Sequence, residues 1–177
     1  SGVDSFALTA IPMFFLAGEL MNRGGITPKL VEFAKVFVGS LRGGLAQTSI
    51  LVNMIMAGFS GSALADLAAT GGILIPAMKA DKYPPRLSAA VIASASTIGP
   101  VIPPSIPMIL IGSIAGVSVG RMFLGGAIPG TIMGLALMIY TGWAAAKMKL
   151  PRSPRPTLSQ AWKTIRGGLL PLGLPVV

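Results

Sequence analysis

Apolar residues run along this chain in blocks too long for a soluble fold, and most blocks are interrupted. Charge-free stretches extend from Gly43 to Ala65, from Leu87 to Gly120 and from Met122 to Ala146. About 20 apolar residues carry a helix across a bilayer, so at least the last two stretches are long enough. Before them, Phe6 to Met21 predicts a first span with Pro12 near its middle. It ends at the turn Asn22–Gly25, where Glu19 reads as an interfacial carboxylate beside Arg23. Thr27-Pro28 then opens an amphipathic helix, with Thr27 as N-cap and proline in the first turn. Its spacing predicts one apolar face of Leu30, Phe33, Ala34, Phe37, Val38 and Leu41, and a charged face of Lys29, Glu32, Lys35 and Arg42. It is too charged to span and is expected to lie along the membrane interface.

Two stretches break the pattern in mid-run. NMIMAGFSGSALAD, Asn53 to Asp66, sets a Gly-Ser turn and a carboxylate inside apolar sequence. It predicts a helical hairpin over 43–79, with arms Gly43 to Phe59 and Ser62 to Met78. The 16 residues from Gly43 to Gly58 cover about 24 Å as a helix, less than the roughly 30 Å hydrocarbon core. That arm also carries Gln47, Thr48, Ser49 and Asn53. A re-entrant hairpin fits this better than two full spans, although both return to the same face. The second break is IGPVIPPS, Ile98 to Ser105. The 34 residues from Leu87 to Gly120 are too long for one straight span, and prolines remove backbone donors. The prediction is a broken helix over 86–120, with halves Arg86 to Ile98 and Ser105 to about Val119. A transmembrane helix over 121–148 follows, its Gly126, Gly130 and Gly134 spaced for close helix packing. Residues 150–168 read as a proline-marked linker and a second interfacial helix.

Composition sharpens this reading. The chain of 177 residues is 53% hydrophobic and 11% charged, where a soluble domain has about a quarter of its residues charged. It is an all-α integral membrane protein. The formal charge of +9 does not mark a nucleic-acid partner, because the basic residues sit between apolar runs. If the hairpin returns and the broken helix crosses once, Arg121 stands alone on one face. The other 13 of the 14 basic residues share the opposite face, which the positive-inside bias makes cytoplasmic. No cysteine or histidine is present, and no carboxylate pair stands at catalytic spacing, so enzymatic chemistry and a conventional metal motif are not expected. The sequence starts at Ser1 without methionine and stops inside an apolar run, and is read as an internal piece of a longer chain.

Chemistry is expected at the breaks. Interrupted helices leave carbonyls and N–H groups that hydrocarbon cannot satisfy. Carbonyl ends suit a cation, and helix N-termini suit a carboxylate. Carbonyls near Gly58 to Ser60 and the hydroxyls of Ser60 and Ser62 would face carbonyls near Ile98 and Gly99, with Thr97 nearby. Ser105 would cap the following half-helix, with Pro107 in its first turn. Asp66 either helps bind a cation or polar partner, or serves the dipole of the helix after Ser62. Both breaks could also be packing kinks in a non-transporting membrane scaffold subunit.

IPMFFLAGELMNRGGIT, AGFSGSALAD, STIGPVIPPSIPM and GVSVGRMFLGGAIPG resemble the large membrane subunit of tripartite ATP-independent periplasmic (TRAP) transporters. The resemblance covers essentially the whole chain and matches its first repeat. It implies an elevator-type transporter repeat, with a re-entrant helical hairpin and a broken transmembrane helix. It implies Na⁺ as the coupling ion and uptake of an organic anion, a dicarboxylate or other carboxylate, across the bacterial inner membrane, with no cofactor. The implied partners are a small membrane subunit, a periplasmic substrate-binding protein and the surrounding lipid bilayer. Carried over by motif, Ser60, Gly61, Ser62, Gly99, Pro103, Pro104 and Ser105 would help form a Na⁺ and substrate site. Of these, Ser60, Gly61, Ser62 and Gly99 are assigned to Na⁺, and Pro103, Pro104 and Ser105 to the solute, together with the nearby polar residues Asn53, Asp66 and Thr97. Another Na⁺/anion symporter of elevator design is the alternative within transport.

Overall fold

Glycine and proline punctuate six helices in the computed structural model, which describes residues 12, 13, 16, 20, 24–151, 162 and 164. Most of the expected first span and of the second interfacial helix lies outside the described residues. The helices are α1 (Ile26–Val38), α2 (Gly44–Ser60), α3 (Ala63–Ala80), α4 (Pro85–Ser96), α5 (Ile106–Ala115) and α6 (Val119–Lys147). No strand occurs among the described residues.

α2 is the central element, touching α1, α3, α4 and α6. This explains why a 17-residue helix buries Gln47, Thr48, Ser49 and Asn53 together with Ile50, Val52 and Met56. Buried polar groups must find partners inside the protein. Gln47 Nε2 donates to the Met138 carbonyl on α6 at 2.8 Å, and Thr48 Oγ1 donates to the Gly44 carbonyl at 2.7 Å.

α1 starts two residues earlier than expected and is capped by Gly25 in the left-handed region, not by Thr27. Thr27 is instead buried inside the first turn, because α1 packs its Ile26, Leu30, Val31, Ala34 and Val38 onto α2. Phe37 and Leu41 are exposed rather than on the buried face. Phe33 and Phe37 form a ring pair 5.0 Å apart along that outer edge. The turn after α5 also differs from expectation. Gly116 closes α5 in the left-handed region, and α6 begins at Val119, two residues before the expected start at 121.

Pair contacts fix the stacking. Gly43 lies against Ala145, Gly134 against Met54 and Gly71 against Ile92. α2 therefore runs antiparallel to α6, and α3 antiparallel to α4. Both hairpin ends, the start of α4 and the end of α6 meet at one end of the bundle. Arg42, Lys79, Lys82, Arg86, Lys147 and Lys149 collect there, as the charge count requires. Tyr140 and Trp143 stand 6.0 Å apart at the same end, and Lys147 Nζ lies 5.3 Å from the Trp143 ring centroid. Such aromatic-cationic sets favour a membrane–water boundary. Tyr83 wedges the loop before α4 beneath the hairpin. Burial pushes its hydroxyl above the usual phenol range, against the effect of a hydrogen bond to the Leu45 backbone.

Among the described residues, two helices, α3 and α6, are long and apolar enough to cross a membrane; α2 and α5 are shorter apolar helices. The glycine stripe of α6 packs as its spacing suggests. A Cβ on Gly126 would sit 2.6 Å from the Val101 carbonyl oxygen, and one on Gly130 would sit 2.6 Å from Ile102 Cγ1. A backbone carbonyl cannot swing aside as a side chain can. Gly126→Ala is therefore expected to cost about 1–3 kcal/mol through overpacking, read as a lowered melting temperature of the purified full-length protein.

Candidate functional site

The two breaks are built by local rules and brought together by packing. At the hairpin tip, Gly61 takes φ 55°, ending α2 in a left-handed turn that costs glycine little. Ser62 is extended, and its hydroxyl accepts from the Ala65 N–H at 3.4 Å, capping α3. The Ser62 N–H goes to Ser60 Oγ at 3.3 Å rather than to the Gly58 carbonyl four residues back. Asp66 sits in the first turn of α3, where an acid favours the helix dipole.

At the second break the N–H groups of Val101 and Ile102 both converge on the Ile98 carbonyl, at 3.0 and 3.1 Å. Pro100 and Pro103 have no N–H. The carbonyls of Thr97 and Gly99 thus lose both usual helical donors, which corrects the expectation that Ile98 would hold a free carbonyl. Ser105 behaves as its sequence position suggests. Its hydroxyl accepts from the Met108 N–H at 3.4 Å and donates across the break to the Pro100 carbonyl at 2.6 Å. The peptide between Pro103 and Pro104 is cis.

The tip and the break touch. A Cβ at Gly61 would lie 3.1 Å from the Ile106 nitrogen and 3.3 Å from the Pro104 carbonyl oxygen. A Cβ at Gly99 would lie 2.5 Å from Asp66 Oδ2. The Asp66 carboxylate is fully buried against Gly99, with the Ser60 hydroxyl as its one polar side-chain neighbour and no basic side chain paired with it among the described residues. A carboxylate with no balancing charge in a dry interior is costly unless a cation or proton compensates it. The carboxylate of Asp66 and the hydroxyl of Ser60 are oxygen donors, the type that a hard cation takes. Among the described residues no group of three or more His, Cys, Asp or Glu comes together.

Residues 1–177 match the family described as the tripartite ATP-independent periplasmic transporter, DctM component. The chain belongs to this family. It is 44% identical over 177 residues to the 2,3-diketo-L-gulonate TRAP transporter large permease protein YiaN of Escherichia coli, covering 100% of this chain and 42% of that protein. It is 39% identical over 174 residues to the C4-dicarboxylate TRAP transporter large permease protein DctM of Pseudomonas aeruginosa, covering 98% of this chain and 41% of the relative. The sialic acid TRAP transporter large permease protein SiaM of Vibrio cholerae is 36% identical over 176 residues, covering 99% of this chain and 41% of its own length. The chain thus spans less than half the length of these relatives. TRAP large permeases are transporters rather than enzymes, and the motif resemblance read from the sequence agrees with the family match.

Within this TRAP chain, Ser60, Gly61, Asp66, Gly99 and Pro104 meet at one junction, and Ser62 and Ser105 cap the helices leaving it. Pro103 is half-buried in the turn. Thr97 is exposed, and its hydroxyl donates to the Ser94 carbonyl of its own helix at 2.7 Å. Asn53 is fully buried between the hairpin arms, below the tip. Thr70 was not among the expected site residues. It lies four positions after Asp66, a spacing at which threonine bonds back to the earlier carbonyl. A groove of about 420 Å³ opens beside α3, lined by Gly25, Thr27, Pro28, Ala65, Ala68, Ala69 and Ile73. It carries no charged side chain to recognise an anion.

Proposed function

We propose that this chain is the cation- and solute-binding repeat of a Na⁺-coupled secondary transporter that imports organic anions across the bacterial inner membrane. The observation that carries this reading is the buried Asp66 carboxylate at the junction of the two breaks, with no basic side chain to balance its charge among the described residues. A single coupled cation would neutralise it. The capped N-termini of α3 and α5 direct their dipoles toward the same region and suit a carboxylate solute. The relatives are named for a diketo sugar acid, a C4-dicarboxylate and a sialic acid, all of them organic acids. The family supports action alongside a small membrane subunit and a periplasmic binding protein.

Helix lengths support a re-entrant hairpin. α6 has 29 residues, about 44 Å as a helix. Met54 faces Gly134, so the antiparallel tip at Gly61 stands level with residues near 127. That lies about 12 Å from the N-terminal end of α6. If α6 crosses the bilayer, the tip stops inside it. In this reading the hairpin and broken helix move as one unit against a scaffold, the elevator motion.

The test is uptake by the full-length transporter with its partner subunits in proteoliposomes. A labelled C4-dicarboxylate, sialic acid and 2,3-diketo-L-gulonate are offered under a Na⁺ gradient or an equal K⁺ gradient. Accumulation of at least one acid with Na⁺ and not with K⁺ is expected. Equal accumulation under both gradients would overturn Na⁺ coupling.

A further inference from the structure

The hairpin arms are joined by one directional chain of hydrogen bonds. Asn53 Nδ2 on α2 donates to the Ser49 carbonyl at 2.8 Å and to Thr70 Oγ1 on α3 at 3.3 Å. The Thr70 hydroxyl spends its only proton on the Asp66 carbonyl oxygen at 2.7 Å. Both amide hydrogens of Asn53 are thereby used, and Thr70 acts as acceptor toward α2 and donor toward the Asp66 backbone. Asn53, Thr70 and Asp66 are all fully buried, where no water competes and each bond is strengthened by low dielectric.

Besides this chain, the arms are joined at the tip by the Ser62 N–H to Ser60 Oγ bond and by Ser60 beside Asp66, and further down by apolar side chains such as Ile50, Met56, Leu74 and Met78. The chain from Asn53 ties the turn that carries Asp66 to the opposite arm, eight residues before the left-handed Gly61. A slip between the arms would move the Asp66 carboxylate relative to Ser60 and Gly99 together. We propose that Asn53 and Thr70 are positioning residues: their inter-arm hydrogen bonds set the height of Asp66 at the junction and so the affinity for the coupling cation. This rests on the reading of Asp66 as a cation ligand.

The experiment uses purified full-length transporter and follows its thermal unfolding midpoint against NaCl, with KCl holding ionic strength constant. Ligand that binds the folded state raises the midpoint with concentration, so the curve gives a half-saturating Na⁺ without knowledge of the solute. Thr70→Val, which keeps the shape and deletes the hydroxyl, is expected to raise half-saturating Na⁺ about fivefold, a loss of the order of one buried hydrogen bond. Thr70→Ser is expected to stay within about twofold of the wild type on the same scale. Asn53→Leu is expected to match Thr70→Val, and the double variant to be little worse than either, because both cut one chain.

A lowered midpoint in KCl with unchanged half-saturating Na⁺ in Thr70→Val would make the link merely structural and overturn the proposal. A wild type that Na⁺ does not stabilise beyond K⁺, or Asp66→Asn that responds to Na⁺ like wild type, would overturn the underlying cation reading. If Thr70→Val fails to fold, Thr70→Ala and Asn53→Leu carry the same comparison.

Discussion

Asp66→Asn in the full-length transporter is expected to abolish Na⁺-driven uptake and, in the absence of Na⁺, to leave the protein at least as stable as the wild type. The side chain keeps its size, so the packing against Gly99 survives. What disappears is a buried charge with no basic side chain to balance it among the described residues. Burying such a charge opposes folding, whereas a neutral amide in the same place costs less. Na⁺ should therefore raise the melting temperature of the wild type, and that rise should be absent from the variant. Uptake and thermal unfolding, each measured with Na⁺ and with K⁺, check the two halves of the expectation. An Asp66→Asn protein that still accumulates solute with Na⁺ would remove Asp66 from the site.

Gly99→Ala is expected to weaken Na⁺ binding by at least about tenfold through crowding alone. The added Cβ would lie 2.5 Å from Asp66 Oδ2 and 3.3 Å from the Ser96 carbonyl oxygen. Either the carboxylate rotates away or the break shifts, and overpacking of this kind costs about 1–3 kcal/mol. Since the two residues come from different breaks, the variant tests whether tip and break form one site. Gly72→Ala supplies the comparison, because nothing described lies within 4 Å of a Cβ there. In a helix interior that change is expected to be neutral or stabilising by roughly 0.5–1 kcal/mol. Half-saturating Na⁺ from thermal unfolding separates the variants; equal values for both would dissolve the proposed junction.

Much of the architecture was legible because local rules wrote it. Gly61 followed by Ser62 reads as a helix stop and an N-cap, and the structure has both. Ser105 followed by Pro107 reads as a second cap and first turn, again as found. The four-residue glycine spacing of α6 predicted close packing. The misplaced boundaries came from local ambiguity. Thr27 had the chemistry of an N-cap, but Gly25 could take the left-handed turn two positions earlier, which let α1 bury Thr27. The stop at Gly116 carried a readable sign, a glycine followed by Ser118 at the next cap position. Arg121 drew the boundary away from it, although an exposed first-turn arginine sits without difficulty at the start of a helix.

That the chain is helical, suited to a membrane and broken twice follows from its residues in order, because hydropathy, proline and capping act over a few neighbouring residues. The sequence also supplied the motifs that assign the chain to the TRAP large permeases. Only the tertiary structure decided that Asp66 meets Gly99, that Gln47 reaches the Met138 carbonyl on α6, and that Asn53 faces inward to Thr70. These partners are separated by long stretches of chain, and nothing local specifies which side chain will cross a helix interface. Their meeting depends on how α2 is surrounded on all sides, which is a property of packing. The breaks are therefore local features, and their junction is a tertiary one.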